Sequence, residues 1–260
     1  MNAQPPVEPG KRQRSIKGVP IRVLVPNMVT LLALCARITS IRMGVDGRYE
    51  LAVSLIVLAA VFDALDGRIA RFLKGTSRFG AEMDSLADFV NFGVAPAVLV
   101  YLWSLESMKN LGWIVCLAFA LCCAMRLARF NVALDDENAP AWKSNFFSGV
   151  PAPAGAAIAL LPLYLGFLGV FDGKEAAPGI LLYLGAAAFL MVSTIPTWSG
   201  KNLGKRISSN LVPVVLLVAV LFAVLLVSYP WLTMSGLVMA YMATFPFSWR
   251  NYQQQLSQDS

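Results

Sequence analysis

Eight apolar stretches, each close to the length of a membrane-spanning helix, constrain the fold of this chain more than any other feature of its sequence. A helix that crosses the hydrocarbon core of a bilayer needs about 20 predominantly apolar residues. The stretches cover residues 24–42, 49–72, 82–103, 111–133, 151–171, 178–197, 210–228 and 230–247. No polar segment between them is long enough for a separate soluble domain. The pattern therefore predicts an all-α, polytopic transmembrane helix bundle with about eight spans.

The composition agrees with a membrane protein. Of the 260 residues, 57% are hydrophobic and 14% are charged, whereas an ordinary soluble domain carries about 25% charged residues. Histidine is absent from the chain, which excludes catalysis by a histidine base, Ser-His-Asp triads and histidine metal ligands.

The distribution of positive charge predicts the orientation of the helices. If the N-terminus is cytoplasmic, 16 of the 21 lysines and arginines fall in cytoplasmic segments, as the positive-inside rule requires. Both termini are then cytoplasmic, and we expect a membrane rather than a nucleic acid to attract the basic residues. We divide the chain into a basic cytoplasmic tail (1–22), a membrane core (23–200), a C-terminal transmembrane hairpin (201–248) and a second cytoplasmic tail (249–260).

Four aspartates form the most informative polar group in the sequence. Asp63 and Asp66 lie near the end of the second predicted helix, and Asp84 and Asp88 lie near the start of the third, across a turn at about 74–79. At about 100° per residue, Asp63 and Asp66 are about 60° apart and Asp84 and Asp88 about 40° apart on their helices. Two antiparallel neighbours can therefore point all four carboxylates at one another, close to the cytoplasmic surface.

These carboxylates need compensating charge. An acidic side chain inside a bilayer costs roughly 2.5–3.5 kcal/mol on insertion scales, so four cost roughly 10–14 kcal/mol. Two divalent cations would neutralise all four, and oxygen-only ligands suit Mg²⁺ or Mn²⁺. Paired ions of this kind recur in phosphoryl chemistry. The alternative is a buried salt-bridge network or a helix-packing site without a ligand.

The spacing of the acidic region resembles a known signature. Residues D63-x2-D66-G67-x2-A70-R71-x8-G80-x3-D84-x3-D88 match that of the CDP-alcohol phosphotransferase family at all eight positions. The resemblance implies a six-helix core, here followed by two further helices, and usually a homodimer. It implies three metal-binding aspartates, a fourth that acts as base and also touches metal, and contacts from two glycines, an alanine and an arginine to the CDP moiety. These roles would belong to Asp63, Asp66 and Asp84, to Asp88, and to Gly67, Gly80, Ala70 and Arg71.

Further stretches resemble the bacterial and archaeal phosphatidylserine synthase branch of that family. They are Phe89–Pro96, Arg126–Asn131, Phe147–Pro153 and the early Pro26-Asn27-x2-Thr30. This resemblance implies a transferase of the inner (cytoplasmic) membrane, with its active site facing the cytoplasm. Its substrates would be CDP-diacylglycerol and L-serine, and its products phosphatidylserine and CMP.

Serine brings a carboxylate and an ammonium group that its site must recognise. Arg126 and Arg129 are three residues apart on one helix face, so both could bind the carboxylate, and Asn131 could add a polar contact. The alternative for the arginines is anchoring at the membrane interface. Asn27 and Thr30 could contact the CDP moiety, or could cap the first helix.

Two alternative functions follow from the same residues. The chemistry could use another acceptor, such as glycerol 3-phosphate, an inositol phosphate or choline. More remotely, the aspartates could line the path of a divalent-cation transporter. The role of Arg37, a charge unusually deep in the first apolar stretch, stays open on the sequence alone.

Overall fold

The protein is described from a computed structural model that covers residues 21–72, 78–134, 146–198 and 211–250. The predicted N-terminal tail lies almost wholly outside the described residues, as do the last ten residues of the C-terminal tail. Most of the predicted turn at 74–79 and the segments 135–145 and 199–210 also lie outside them.

All eight predicted apolar stretches form helices in the described part of the chain. The third stretch is a continuous rod of two α-helices, α3 and α4, joined by a π-helix, and a short 3₁₀ helix, Leu105–Met108, follows it. The bounds are α1 Ile21–Val45, α2 Tyr49–Phe72, α3 Arg78–Asp88, π-helix Phe89–Val94, α4 Ala95–Trp103, α5 Asn110–Leu134, α6 Ala152–Phe167, α7 Ala177–Val192, α8 Val212–Ser228 and α9 Pro230–Ala243.

Three of these helices are long and apolar enough to cross a membrane, with spans Met28–Val45, Phe79–Trp103 and Asn110–Val132. Helices α6, α7 and α8 are apolar but shorter. The 16 residues of α6 rise about 24 Å at 1.5 Å per residue, against a hydrocarbon core of about 30 Å. α2 has 24 residues, but Asp63, Asp66 and Arg68 lie in its second half.

The first helix buries its small and polar residues and exposes its large apolar ones. Thr30, Ala33, Arg37, Ser40 and Gly44 are buried and recur every three or four residues, which places them on one face. The large side chains that point away are Leu31, Leu32 and Ile38, which are all exposed. This is the distribution expected when the surroundings are lipid, because close helix packing in lipid relies on small and polar residues.

The π-helix has a local cause in the sequence. Pro96 lies at the start of α4, and a proline removes one helical hydrogen bond and crowds the carbonyl one turn earlier. The backbone N–H of Ala95 donates instead to the carbonyl oxygen of Val90, five residues back. Gly93 lets this wider turn approach α5, because a Cβ there would lie 3.1 Å from the Cβ of Cys123.

The core of the bundle lies between α4, α5, α6 and α7. Leu99, Phe119, Leu160 and Leu184, one from each helix, are all fully or almost fully buried. Trp231 of α9 packs on α6 with its ring 4.8 Å from that of Phe167. Helix α8 packs on α9 and has no buried residue, so it lies at the periphery.

A short antiparallel ribbon adds to the predicted all-α fold. It pairs β1, Phe146–Ser148, with β2, Pro196–Trp198, and so joins the segment before α6 to the segment after α7. Gly149 follows β1 with a φ of +80° and donates its N–H to the carbonyl oxygen of Ile195, 2.9 Å away. The sequence did not predict these strands, because three residues are too few to show an alternating pattern.

Candidate active site

Three of the four predicted aspartates come together where α2 and α3 meet. Asp63 lies on α2, and Asp84 and Asp88 lie on α3. Asp88 is close enough to interact electrostatically with both other carboxylates, and its side chain is within hydrogen-bonding reach of Asp63. Asp63 and Asp88 are therefore close together across the two helices, while the predicted facing of all four carboxylates stays a prediction. Asp66 lies on α2 one turn beyond Asp63, and its side chain is outside the described part.

Arg37 of α1 belongs to the same cluster. Its side chain is completely buried, and its Nη2 donates to Oδ1 of Asp63 in a short ion pair. Its depth in the apolar stretch is evident from the sequence, but its role is not. One signal was present, since Arg37 follows Thr30 by seven residues, or two helical turns, and therefore lies on the same face of α1.

Asp88 has an environment suited to proton transfer. Its Oδ1 is buried and accepts no hydrogen bond from the described residues. Asn91, three residues later in the π-helix, is fully buried, and neither its Oδ1 nor its Nδ2 has a hydrogen-bond partner among the described residues. Buried polar atoms of this kind are rare, and π-helical turns are frequent at functional sites. Asn91 belongs to the stretch Phe89–Pro96, which resembles the phosphatidylserine synthase branch, but the sequence alone assigns this residue no function.

The two arginines predicted to bind the acceptor differ in position. Arg126 is buried, with 8% of its surface exposed, and it interacts electrostatically with Asp88 and with Tyr241 of α9. Its guanidinium carbon lies 5.3 Å from the ring centre of Phe130. Arg129, three residues further along α5, is exposed. The arrangement brings Arg126 to the carboxylates and leaves Arg129 on the surface, where interfacial anchoring is the simpler role.

Asn131 links α5 to α3. Its Nδ2 donates to Oγ of Ser85 across 3.0 Å. Ser85 is adjacent to Asp84, so the bond ties the end of α5 to the helix that carries two of the carboxylates. A role for Asn131 in positioning α3 is therefore supported by a contact, and its predicted contact with the acceptor stays a prediction.

The residues predicted to contact the CDP moiety lie on α1, α2 and α3. Thr30 is buried on α1, and Gly80 lies half-buried on α3. Asn27 is one turn before Thr30, and its side chain is outside the described part. The same holds for Gly67, Ala70 and Arg71 in the last two turns of α2. Helix α1 contacts both α2 and α3, and its Arg37 pairs with Asp63 of α2.

The chemistry of the cluster fits a divalent cation. The carboxylates of Asp63, Asp84 and Asp88 supply the oxygen ligands that Mg²⁺ and Mn²⁺ prefer. Oδ1 of Asp88 is buried and accepts no hydrogen bond from the part of the chain that the structure describes. Among the described side chains, no three acidic or cysteine groups close around a single point. The ion pair to Arg37 occupies one oxygen of Asp63, and Asp66 would complete the set.

The comparisons with known proteins agree with this chemistry. The family model described as CDP-alcohol phosphatidyltransferase matches residues 23–196, and a second, CDP-alcohol phosphatidyltransferase 2, matches residues 210–246. The CDP-diacylglycerol–serine O-phosphatidyltransferase of Mycobacterium tuberculosis is 39% identical over 92% of this chain and 82% of its own length.

Two more distant relatives cover a smaller part of the chain. The protein of the same name from Helicobacter pylori is 33% identical over 66% of this chain and 70% of its own length. The archaetidylserine synthase of Methanothermobacter thermautotrophicus is 33% identical over 66% of this chain and 69% of its own. Since the first family model spans more than half of the residues, and includes all four aspartates, the chain belongs to the CDP-alcohol phosphatidyltransferase family.

Proposed function

We propose that this protein transfers the phosphatidyl group of CDP-diacylglycerol to the hydroxyl of L-serine, giving phosphatidylserine and CMP. The observation that carries the proposal is the position of Asp88 beside Asp63 and Asp84. One of its oxygens is buried and has no partner among the described residues, and its carboxylate interacts with the buried Arg126. The relatives named for serine transfer, at up to 39% identity, support serine as the acceptor.

In the proposed reaction, Asp88 is the general base. Its free oxygen accepts the proton of the serine hydroxyl, and the serine oxygen attacks the phosphorus next to the diacylglycerol. A new P–O bond to serine forms as the P–O bond to CMP breaks, and CMP leaves with the electron pair of that bond. Arg126 holds the serine carboxylate through its fork of donors, which orients the hydroxyl toward Asp88.

The proposed metal ligands are Asp63, Asp66, Asp84 and Asp88. Two Mg²⁺ or Mn²⁺ ions bound there would neutralise the carboxylates and stabilise the charge on the diphosphate. Asn27, Thr30, Gly67, Ala70, Arg71 and Gly80 would bind the CDP moiety. Glycine at two of these positions leaves room for a bulky ligand to approach the backbone closely.

We also propose the membrane arrangement that the charge distribution predicts. The chain would cross the inner membrane eight times, with a core of six helices at 23–200, a hairpin at 201–248 and both tails in the cytoplasm. Supporting contacts join segments that this topology puts on one side, since Asn131 at the end of α5 bonds to Ser85 near the start of α3. We further propose that two copies form the homodimer that the family resemblance implies, and expect the mass of the purified protein in detergent to be that of a dimer.

A panel of acceptors tests the assignment of serine. Purified protein with CDP-diacylglycerol and Mn²⁺ is given L-serine, glycerol 3-phosphate, an inositol phosphate or choline in parallel, and CMP release is measured. Of the four acceptors, we expect only L-serine to give CMP release above background. Preference for another alcohol would overturn the acceptor assignment and leave the phosphatidyl transfer intact. Uptake of Mn²⁺ into proteoliposomes without CMP release would favour a transporter instead.

A further inference from the structure

Arg37 has an unusual position for a charged residue in an apolar helix. It lies near the middle of α1 with none of its side chain exposed, while leucine and isoleucine side chains face outward on the same helix. A buried guanidinium without a counter-ion is strongly unfavourable. The ion pair with Asp63 therefore explains how the charge is tolerated.

The guanidinium is only partly satisfied by that contact. Its Nη2 donates to Asp63, whereas its Nε and Nη1 are buried and have no partner among the described residues. It also interacts electrostatically with Asp88. Arg37 thus introduces a single positive charge beside Asp63 and Asp88, where a divalent cation would introduce two.

A divalent cation at Asp63 would share that carboxylate with the guanidinium of Arg37. The two positive charges repel each other at this distance, so the ion pair and the metal oppose one another. We propose that Arg37 is a resident cation that neutralises Asp63 in the metal-free protein and competes with the divalent ion for it. The inference rests on the metal site of the proposed function and adds a residue that the eight-residue signature does not contain.

Competition has a consequence of defined sign for metal affinity. Removing Arg37 frees Asp63 and leaves the carboxylates with more uncompensated negative charge, so Mn²⁺ should bind more tightly. Coupling between two sites in a protein typically changes an affinity by about 5–150-fold. We expect Arg37→Gln to lower the apparent Kd for Mn²⁺ by about tenfold, toward the lower end of that range.

A purely structural Arg37 predicts a different result. If the ion pair only held α1 against α2, its loss would lower the thermal midpoint and would leave the Mn²⁺ affinity of the folded protein unchanged or weaker. The competing role predicts a lower midpoint without metal, together with tighter Mn²⁺ binding. The affinity of the folded protein therefore separates the two roles.

The experiment titrates Mn²⁺ into the purified full-length protein in detergent and follows the free ion by electron paramagnetic resonance. The matched control is Arg42→Gln, which removes the same charge from the same helix at an exposed position, 3.9 Å from Asp46. We expect tighter binding in Arg37→Gln and an unchanged Kd in Arg42→Gln. Arg37→Lys keeps the positive charge but replaces the guanidinium fork by a single ammonium group. It should tighten Mn²⁺ binding by a smaller factor, and it carries the test if Arg37→Gln does not fold.

Three outcomes are distinguishable. Tighter Mn²⁺ binding in the Arg37 variants alone supports the proposal. An equal or weaker affinity in a folded Arg37 variant overturns the competing role and leaves the proposed transferase untouched. Absence of Mn²⁺ binding in the unaltered protein and in every variant would overturn the metal site itself, and this inference with it.

Discussion

At the scale of single residues, the carboxylates are distinguished by their partners. Asp63 is held by Arg37, whereas Asp88 keeps a buried oxygen with no partner in the described part of the chain. A base needs a free lone pair within reach of the proton it takes, and Asp88 meets that requirement. Both residues come from one spacing signature, yet their environments differ because the arginine of α1 forms its ion pair with Asp63 and not with Asp88.

The assignment of Asp88 as base predicts a large effect from a small change. We expect Asp88→Asn to lower kcat by about 10²–10⁴-fold, the range that general-base catalysis contributes, because the amide cannot accept the serine proton. The control is Glu82→Gln, an exposed position on the same helix, which should keep nearly full activity. Activity of Asp88→Asn close to that of the unaltered protein would remove Asp88 from this role.

The different burial of the two arginines on α5 predicts a difference in serine affinity. Lysine keeps the charge but lacks the planar fork of donors that matches a carboxylate. We expect Arg126→Lys to raise KM for serine by about tenfold, equivalent to 1.4 kcal/mol, and Arg129→Lys to change it by less than about twofold, as is usual for an exposed charge. Steady-state kinetics at saturating CDP-diacylglycerol measures both values. Equal effects of the two substitutions would contradict the separation seen in the structure.

At the scale of elements, two local irregularities position the site. The π-helix widens the rod between Asp88 and α4, and the ribbon ties the entry of α6 to the end of α7. In the ribbon, Gly149 adopts a positive φ, and a Cβ there would lie 2.6 Å from the carbonyl oxygen of Ser193 and 2.7 Å from that of Met191. Both distances are too short for real contacts, so only glycine fits.

Substitution of this glycine should therefore destabilise the protein. We expect Gly149→Ala to cost at least about 1 kcal/mol from the left-handed backbone alone, with the crowding added, and to lower the thermal midpoint in detergent. Gly179→Ala is the control, because a Cβ at that exposed helical position meets nothing within 4 Å and alanine favours a helix. A thermal midpoint unchanged by Gly149→Ala would show that the loop adopts another conformation.

The elements also show which parts of the fold were predictable. The helices were predicted from local apolar runs, and α2 begins and ends at the predicted residues, 49 and 72. The partner of Arg37 and the pairing of β1 with β2 depend on segments 26 and about 50 residues apart. No local pattern encodes such contacts, so the spacing of the aspartates was predictable from the sequence whereas the role of Arg37 was not.

At the scale of the whole molecule, the polar chemistry lies at one end of the bundle. Asn131 meets Ser85 near the carboxylates, while Tyr49 bonds to Leu102 and Ser104 bonds to Gly173 at the other ends of their helices. A donor lipid in the inner leaflet and a water-soluble acceptor could both reach a site at a cytoplasmic end. The proposed orientation therefore gives both substrates a route to the site.

Labelling of introduced cysteines tests this orientation. Lys174 is exposed before α7, at the end of the bundle proposed to be outside, and Arg250 is exposed after α9, on the side proposed to be cytoplasmic. We expect a membrane-impermeant maleimide to label Lys174→Cys in right-side-out vesicles and Arg250→Cys in inside-out vesicles only. The unaltered protein gives the background from its four cysteines. Labelling of both positions from one side would contradict the odd number of spans, three, predicted between Lys174 and Arg250.

The most direct test of the central claim follows both products of one reaction. Purified protein is incubated with CDP-diacylglycerol and labelled L-serine, first with EDTA and then with Mn²⁺ or Mg²⁺ in excess, and CMP and phosphatidylserine are quantified together. We expect no turnover in EDTA, recovery of turnover with at least one of the two ions, and equal amounts of CMP and phosphatidylserine. Turnover that persists in EDTA, or CMP released without phosphatidylserine, would contradict the proposed reaction.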